Sequence, residues 1–252
     1  MNELIPVGIQ LYSVRDLCAK DLPATLSLVK SLGYNTVEFA SYYDHTAYSL
    51  RKMLDDNGLT CCGTHIGMDQ LTGDNLRRTI DFHHILGCNY LVVPWMPKDK
   101  RDSVASIAQT ARWFNELTET LAPAGMQTGY HAHGDDFSKI GTRSAWEILF
   151  ASTVADVIMQ MDTGNAAGGG ADPLAILKLF PGRAHCVHLK EFGGPQGATL
   201  GQGTLPWTDI LSFCRTQGDT KCFVVEYESE CECPDLPDAL RRSRDFLRGM
   251  GL

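Results

Sequence analysis

The chain has 252 residues, 44% of them apolar, enough to bury a full-sized core in one large domain or two small ones. A formal net charge of −8 argues against a surface built to hold nucleic acid phosphates, which calls for clustered Lys and Arg. No apolar run approaches the roughly 20 residues of a membrane span. The N-terminus lacks the basic start and apolar stretch of a signal peptide, so a cytoplasmic protein with neither nucleic acid nor membrane as partner is expected.

Short apolar runs alternate with longer helical patterns along the whole chain. The first strand is predicted at 7–12 (VGIQLY), followed by a helix at 21–32 that Asp21 opens ahead of Leu22-Pro23. A strand at 36–40 (TVEFA) precedes a helix at 46–57, and one at 60–66 (TCCGTHI) precedes a helix at 74–86 begun by Asp74. The strand at 89–94 (NYLVVP) leads to a long helix at 102–124, opened by Asp102. The strands at 127–131 (QTGYH) and 157–162 (VIMQMD) lead to helices at 143–150 and 172–180, the latter with Asp172-Pro173 at its start. The strands at 184–190 (AHCVHLK) and 221–226 (KCFVVE) are followed by helices at 206–217 and 235–249. Glycines at 33, 58, 87, 125 and 218 follow helices, as left-handed caps do.

Eight strand–helix units in about 250 residues, with no linker between them, predict a single (β/α)8 TIM-barrel domain over 1–252. A doubly wound open sheet is the rival. It would more often carry a glycine-rich phosphate turn after its first strand, and "QLYSVRD" is not one.

In such a barrel the active site lies at the carboxyl ends of the strands. There the sequence places Glu38, His65, Pro94-Trp95, His131, Asp162, His188 with Lys190, and Glu226. Each alone has a structural reading: a strand-end His as a hydrogen-bonder, an Asp before a turn as a cap, a Glu as a solvated end. Together, His131, Asp162, His188 and Glu226 come from four successive strands and make a sound first set of donors for one divalent cation. Nitrogen ligands favour Mn2+, Zn2+ or Co2+ over Mg2+. Open positions would let the cation act as a Lewis acid on substrate oxygens. In "GYHAHGDDF", His131 is nearer the strand end and is the better ligand; His133, in the loop, is better placed to touch substrate or carry a proton.

Nine cysteines, several inside apolar runs, suggest reduced, buried thiols. The Cys231-x-Cys233 pair reads as two loop thiols more readily than as a metal or disulfide site.

At these residues the sequence resembles the sugar phosphate isomerase/epimerase family of xylose isomerase-like barrels, from end to end. "GIQLYSVRD" looks like its opening strand and "SLGYNTVEFA" its second unit. "GYHAHGDDF" is similar to a Tyr-His-Asn-His signature, with Ala132 in the Asn place. "MDTGNAAGGGADP" resembles its sixth-strand Asp and the helix start that follows. "HCVHLKEF" is similar to its His-x-Lys-Asp, with Glu191 for Asp, "GQGTLPW" to its seventh-helix loop, and "FVVEYE" supplies its last Glu. The resemblance implies one divalent metal held by strands five to eight. Ketose epimerases of this kind use a Glu at both the fifth and the eighth strand, where this chain has His131 and Glu226.

The expectation is a metal-dependent isomerase/epimerase acting on a sugar or sugar phosphate, by proton transfer α to a metal-bound carbonyl. The alternative is a lyase or dehydratase on a 3-keto sugar or polyol through the same enolate. Glu226 or a nearby His would be the base, with His133 as proton donor or carrier, and Lys190 the group facing the enolate oxygen. Glu38, His65, Trp95 and Phe192 would bind substrate. A nuclease is disfavoured: Trp95 stands where a fourth-strand His is expected, and Asn165 where another is. A non-catalytic binding protein would be marked by a damaged ligand set. The glycine-rich stretches at 168–170 and "EFGGPQGATLGQG" read as flexible cover over the substrate. The sequence allows a homo-oligomer.

Overall fold

The computed structural model describes residues 5–228 and 235–252, so the Cys231-Cys233 pair lies outside the described residues. Eight parallel strands surround one axis: β1 (Val7–Gln10), β2 (Thr36–Phe39), β3 (Thr60–His65), β4 (Tyr90–Val93), β5 (Gln127–His131), β6 (Ile158–Gln160), β7 (Cys186–Leu189) and β8 (Cys222–Val225). Their order is β6-β5-β4-β3-β2-β1-β8-β7. The seam between β6 and β7 nearly closes the barrel. It is stitched by a bridge between Asp162 and His188 and by His188 N–H donating to the Met161 carbonyl at 2.8 Å. Most strands are buried on both faces, as expected where helices cover a parallel sheet from outside.

The helices between strands fall close to where the sequence puts them. α2 (Leu22–Ser31), α3 (Ala47–Asn57), α4 (Gly73–Leu86), α5 (Val104–Leu121), α6 (Ala145–Ser152), α8 (Pro173–Leu179), α9 (Trp207–Thr216) and α10 (Leu236–Gly249) form the outer layer. Asp21 and Asp172 cap α2 and α8 as expected, with proline in the first turn. Two caps differ. Ser103 rather than Asp102 caps α5, through a reciprocal pair with Ser106, and Thr72 rather than Asp74 precedes α4. Two short helices are unannounced by apolar periodicity: α1 (Arg15–Lys20), and α7 (Thr163–Gly168) directly after β6.

The predicted first strand runs too far. It ends at Gln10 because the Gln10 carbonyl side-chain oxygen accepts from Tyr12 N–H at 3.0 Å and turns Leu11–Val14 into a 3-10 helix. The barrel interior is narrow, and small residues admit large ones. A Cβ on Gly129 would stand 2.2 Å from the Ile158 carbonyl oxygen, and one on Gly63 would stand 2.5 Å from Glu38 Oε1. Among the described residues, no helix is long and apolar enough to cross a membrane.

Candidate active site

His131 closes β5; Asp162, His188 and Glu226 come from the ends of the next three barrel strands. One donor atom from each lies within 4.8 Å of the others, and all four side chains are buried. The backbone places them in a stagger: His131 is level with Gln160, two residues before Asp162; Asp162 bridges His188; and His188 is level with Val224, two residues before Glu226. Asp162 serves twice. Its Oδ1 accepts from Asn165 N–H at 2.7 Å and caps α7, while its Oδ2 is buried without a protein partner.

His188 is held between two carboxylates, with Nδ1 2.7 Å from Glu226 Oε2 and Nε2 2.5 Å from Glu38 Oε2. Burial alone would lower its pKa; Glu38 and Glu226 override that and hold it well above the usual imidazole value. His131 goes the other way, pushed well down by burial and by the charge of His188. Burial and the neighbouring Glu226 push Asp162 up to about 7. Burial opposes the charge on Glu226, but the hydrogen bond from His188 wins and keeps its carboxyl well below the ordinary range.

Lys190 lies just past β7. Its Nζ donates to Asn165 Oδ1 at 3.1 Å, to Glu226 Oε1 at 3.3 Å, and to Glu228. Burial would discharge it, but Asp162, Glu226 and Glu228 raise its pKa and keep it a cation. His133 stands edge-on to His131, ring centroids 4.9 Å apart. Its Nδ1 is buried and unpartnered, and burial lowers its pKa.

Of the expected substrate contacts, His65 lies beside an open cavity of about 420 Å³, lined also by Tyr42, Gln70, Arg78 and Phe82. Trp95 and Phe192 are 56% and 41% exposed, unusual for such rings. Glu38 departs from its expected place on the rim. It is 0% exposed, inside the barrel, bonded to Gln10, Gln160 and His188. Glu191 binds neither Lys190 nor the quartet; it ties down the glycine-rich loop by accepting from Gly201 N–H at 2.7 Å and Trp207 Nε1 at 2.8 Å. Gln10 and Gln160 escape a sequence reading because an amide at a strand end carries no charge to flag it.

The donor set fits a divalent cation. Two imidazoles and two carboxylates converge, and a buried carboxylate oxygen lacking any partner is a free-energy cost that a cation would offset.

A family model for xylose isomerase-like TIM barrels matches residues 26–250. An inosose dehydratase of Geobacillus kaustophilus is 26% identical over 190 residues, covering 66% of this chain and 60% of that protein, so the match falls short of two thirds of the relative's length. An inosose dehydratase of Klebsiella pneumoniae is 26% identical over 218 residues, 72% of each chain. Among solved structures, a sugar phosphate isomerase/epimerase of Parabacteroides distasonis superposes with a TM-score of 0.83 at 23% identity, covering 96% of this chain and 97% of that one.

Proposed function

We propose that this chain, which belongs to the xylose isomerase-like TIM-barrel family, is a divalent-metal-dependent enzyme that removes a proton beside the carbonyl of a sugar or polyol and expels water from the adjoining carbon. The observation that carries the reading is the unpartnered, buried Oδ2 of Asp162 within the four-donor cluster. His131, Asp162, His188 and Glu226 are the residues that would hold the cation, Mn2+, Zn2+ or Co2+ by donor type. Its positive charge would acidify the carbon beside the carbonyl.

The proton-moving role follows from which lone pairs are free. Glu226 is one of the four residues that would hold the cation, and its Oε1 faces Lys190 Nζ, which makes it a weak base. No protein group ties up the buried His133 Nδ1, and burial favours the neutral ring, which keeps a lone pair on one of its two nitrogens. We therefore assign proton abstraction to His133 rather than Glu226. The Lys190 ammonium is the group to face charge developing on the carbonyl oxygen. His65, Trp95 and Phe192 are assigned to the sugar.

The outcome of the first step depends on a second group. At β5 this chain offers His131, not a carboxylate, so a two-carboxylate proton swap is disfavoured. His133 can take the proton from carbon and return it to a departing β-hydroxyl, which leaves as water. The relatives named inosose dehydratase support this direction. Isomerisation is the second reading, because a single imidazole that can carry a proton between adjacent carbons serves it too. A reducing, cytoplasmic setting is supported by seven described cysteines, all free.

Zinc- or manganese-loaded protein should be incubated with inososes, 3-keto glycosides and ketoses in deuterated water. The expected product has lost one water and, in unreacted substrate, deuterium has entered beside the carbonyl. Epimers or isomers without loss of water would establish the second reading. No exchange at that carbon in any substrate of the three classes would refute both.

A further inference from the structure

Against the four donors packs a layer of three polar side chains that the proposed chemistry does not use. Gln10, Glu38 and Gln160 are each 0% exposed and come from β1, β2 and β6. Burying a carboxylate and two amides costs free energy unless each lone pair and N–H finds its partner. Here the partners form one connected set, and donor and acceptor can be assigned from it.

The assignment starts at the backbone. Tyr12 N–H can only donate, so the Gln10 atom it meets at 3.0 Å is the amide oxygen. Gln10 Nε2 then points inward and donates to Glu38 Oε2 at 2.7 Å. The other Glu38 oxygen, Oε1, accepts from Gln160 Nε2 at 2.7 Å. That fixes the Gln160 amide with its oxygen turned the other way. The Gln160 Oε1 atom can only accept, and it lies 3.0 Å from His131 Nδ1 and 2.9 Å from His65 Nε2. Both nitrogens must therefore carry hydrogen. By the same rule, His188 Nε2, 2.5 Å from Glu38 Oε2, carries hydrogen; in the metal-free ring so does Nδ1, 2.7 Å from Glu226 Oε2, and that Nδ1 proton, on the side of the four donors, is the one a cation would displace.

We infer that Gln10, Glu38 and Gln160 are positioning residues that set which ring nitrogen each metal-ligating histidine presents: Nε2 of His131 and Nδ1 of His188. An imidazole ligates through its bare nitrogen, and an N–H bond on the other nitrogen fixes both tautomer and ring orientation. The two histidines need opposite tautomers, and one amide–carboxylate pair supplies both. Gln160 presents an oxygen to His131 while its N–H group steadies Glu38, which presents an oxygen to His188. The fold keeps space for this arrangement. Gly63, opposite Glu38 in the register, has no side chain, and a Cβ there would stand 2.5 Å from Glu38 Oε1.

This inference rests on the metal-dependent reading, and one experiment separates the two. Zinc affinity is measured by competition with a chromophoric chelator for the wild type, Glu38→Gln, Gln160→Glu and the double swap. Glu38→Gln turns an amide N–H toward either Gln160 Nε2 or His188 Nε2, and Gln160→Glu sets two carboxylates face to face. Each single change should weaken zinc by about 10- to 100-fold. The double swap restores one carboxylate and one amide with every donor facing an acceptor, and should return to within about threefold of wild type, a coupling that independent sites would not show. Wild-type affinity in both singles, or a double swap no better than the singles, overturns the inference and leaves the metal reading standing. A wild type that binds no zinc overturns both. Long-range 1H–15N spectra of histidine in the zinc-loaded wild type give a test that needs no variant to fold. Protonated Nδ1 on His131 and protonated Nε2 on His188 are expected; the same nitrogen protonated on both would overturn the layer's role.

Discussion

Asp162 carries two duties on two oxygens, and substitution can separate them. Oδ1 caps α7 through Asn165 N–H, and Oδ2 is the unpartnered donor of the cluster. Asp162→Asn keeps a side-chain oxygen for the cap and removes the anionic ligand. Asp162→Ala removes both. Loss of an N-cap costs about 1 kcal/mol, so metal-free Asp162→Ala should be less stable than metal-free Asp162→Asn by about that amount. Metal-free Asp162→Asn should equal or exceed the wild type, because it removes a buried carboxylate whose neighbour Glu226 is also negative. Zinc reverses the order. At free zinc a hundred times its Kd, the wild type should gain about 2.7 kcal/mol and the Asn variant only a small part of that. Urea unfolding followed by tryptophan fluorescence, with chelator and with buffered zinc, measures all four quantities. A full zinc-induced gain in Asp162→Asn would refute the assignment of Oδ2 as a ligand. Equal metal-free stability of the Asn and Ala variants would refute the capping duty.

Two further outcomes follow from the same geometry. His83 is buried, with Nδ1 2.6 Å from the Thr79 carbonyl and Nε2 facing Tyr42 Oη at 2.8 Å and Thr64 Oγ1 at 2.9 Å, so its ring is neutral in the fold. Burial lowers its pKa from 6.5 to about 4. A folded pKa below the unfolded one means protons favour the unfolded chain: His83's contribution is complete above the unfolded value and is lost as pH falls toward the folded one. Between pH 7.5 and pH 5 the loss should be about 2 kcal/mol, seen as a shallower pH dependence of urea stability in His83→Gln; an unchanged slope would contradict it. Lys190→Met removes the cation beside Glu226 and Asn165, and should lower turnover on the order of 10²-fold while zinc content stays near one per chain. Loss of zinc in that variant would show that the ammonium holds Glu226 in its ligand position instead.

The barrel was legible because its signals are local and repeated. Apolar runs such as "YLVV" and "CFVV" are short, continuous and separated by capped helices, which is how strands buried on both faces read. The elements that escaped have no such signal. α7 is built from "TGNAAG", a poor helix former with no apolar stripe, and stands on the cap from Asp162 and on packing. β1 ends early because of one side-chain bond from Gln10 to the next turn, a choice between local partners that periodicity does not record.

Sequence alone determined which ionisable side chains stand at the strand ends. Ionisable residues at the ends of predicted strands are out of place in apolar runs, and topology sends the ends of four successive strands to one point, so His131, Asp162, His188 and Glu226 could be named together. The tertiary structure decided what each of them touches. Glu38 has the same sequence signature as the rim residues, yet lies wholly inside, because its neighbours across the barrel, Gln160 and His188, stand 122 and 150 residues away. The proposed proton-moving role passes from Glu226 to His133 for a like reason: the sequence shows two groups able to accept a proton, and only the packed site shows that one has both oxygens engaged while the other has a nitrogen with no partner. Strand parity tells which way a side chain points. The stagger of strands around a closed barrel sets which side chains meet at one height, and buried polar atoms take their roles from those meetings.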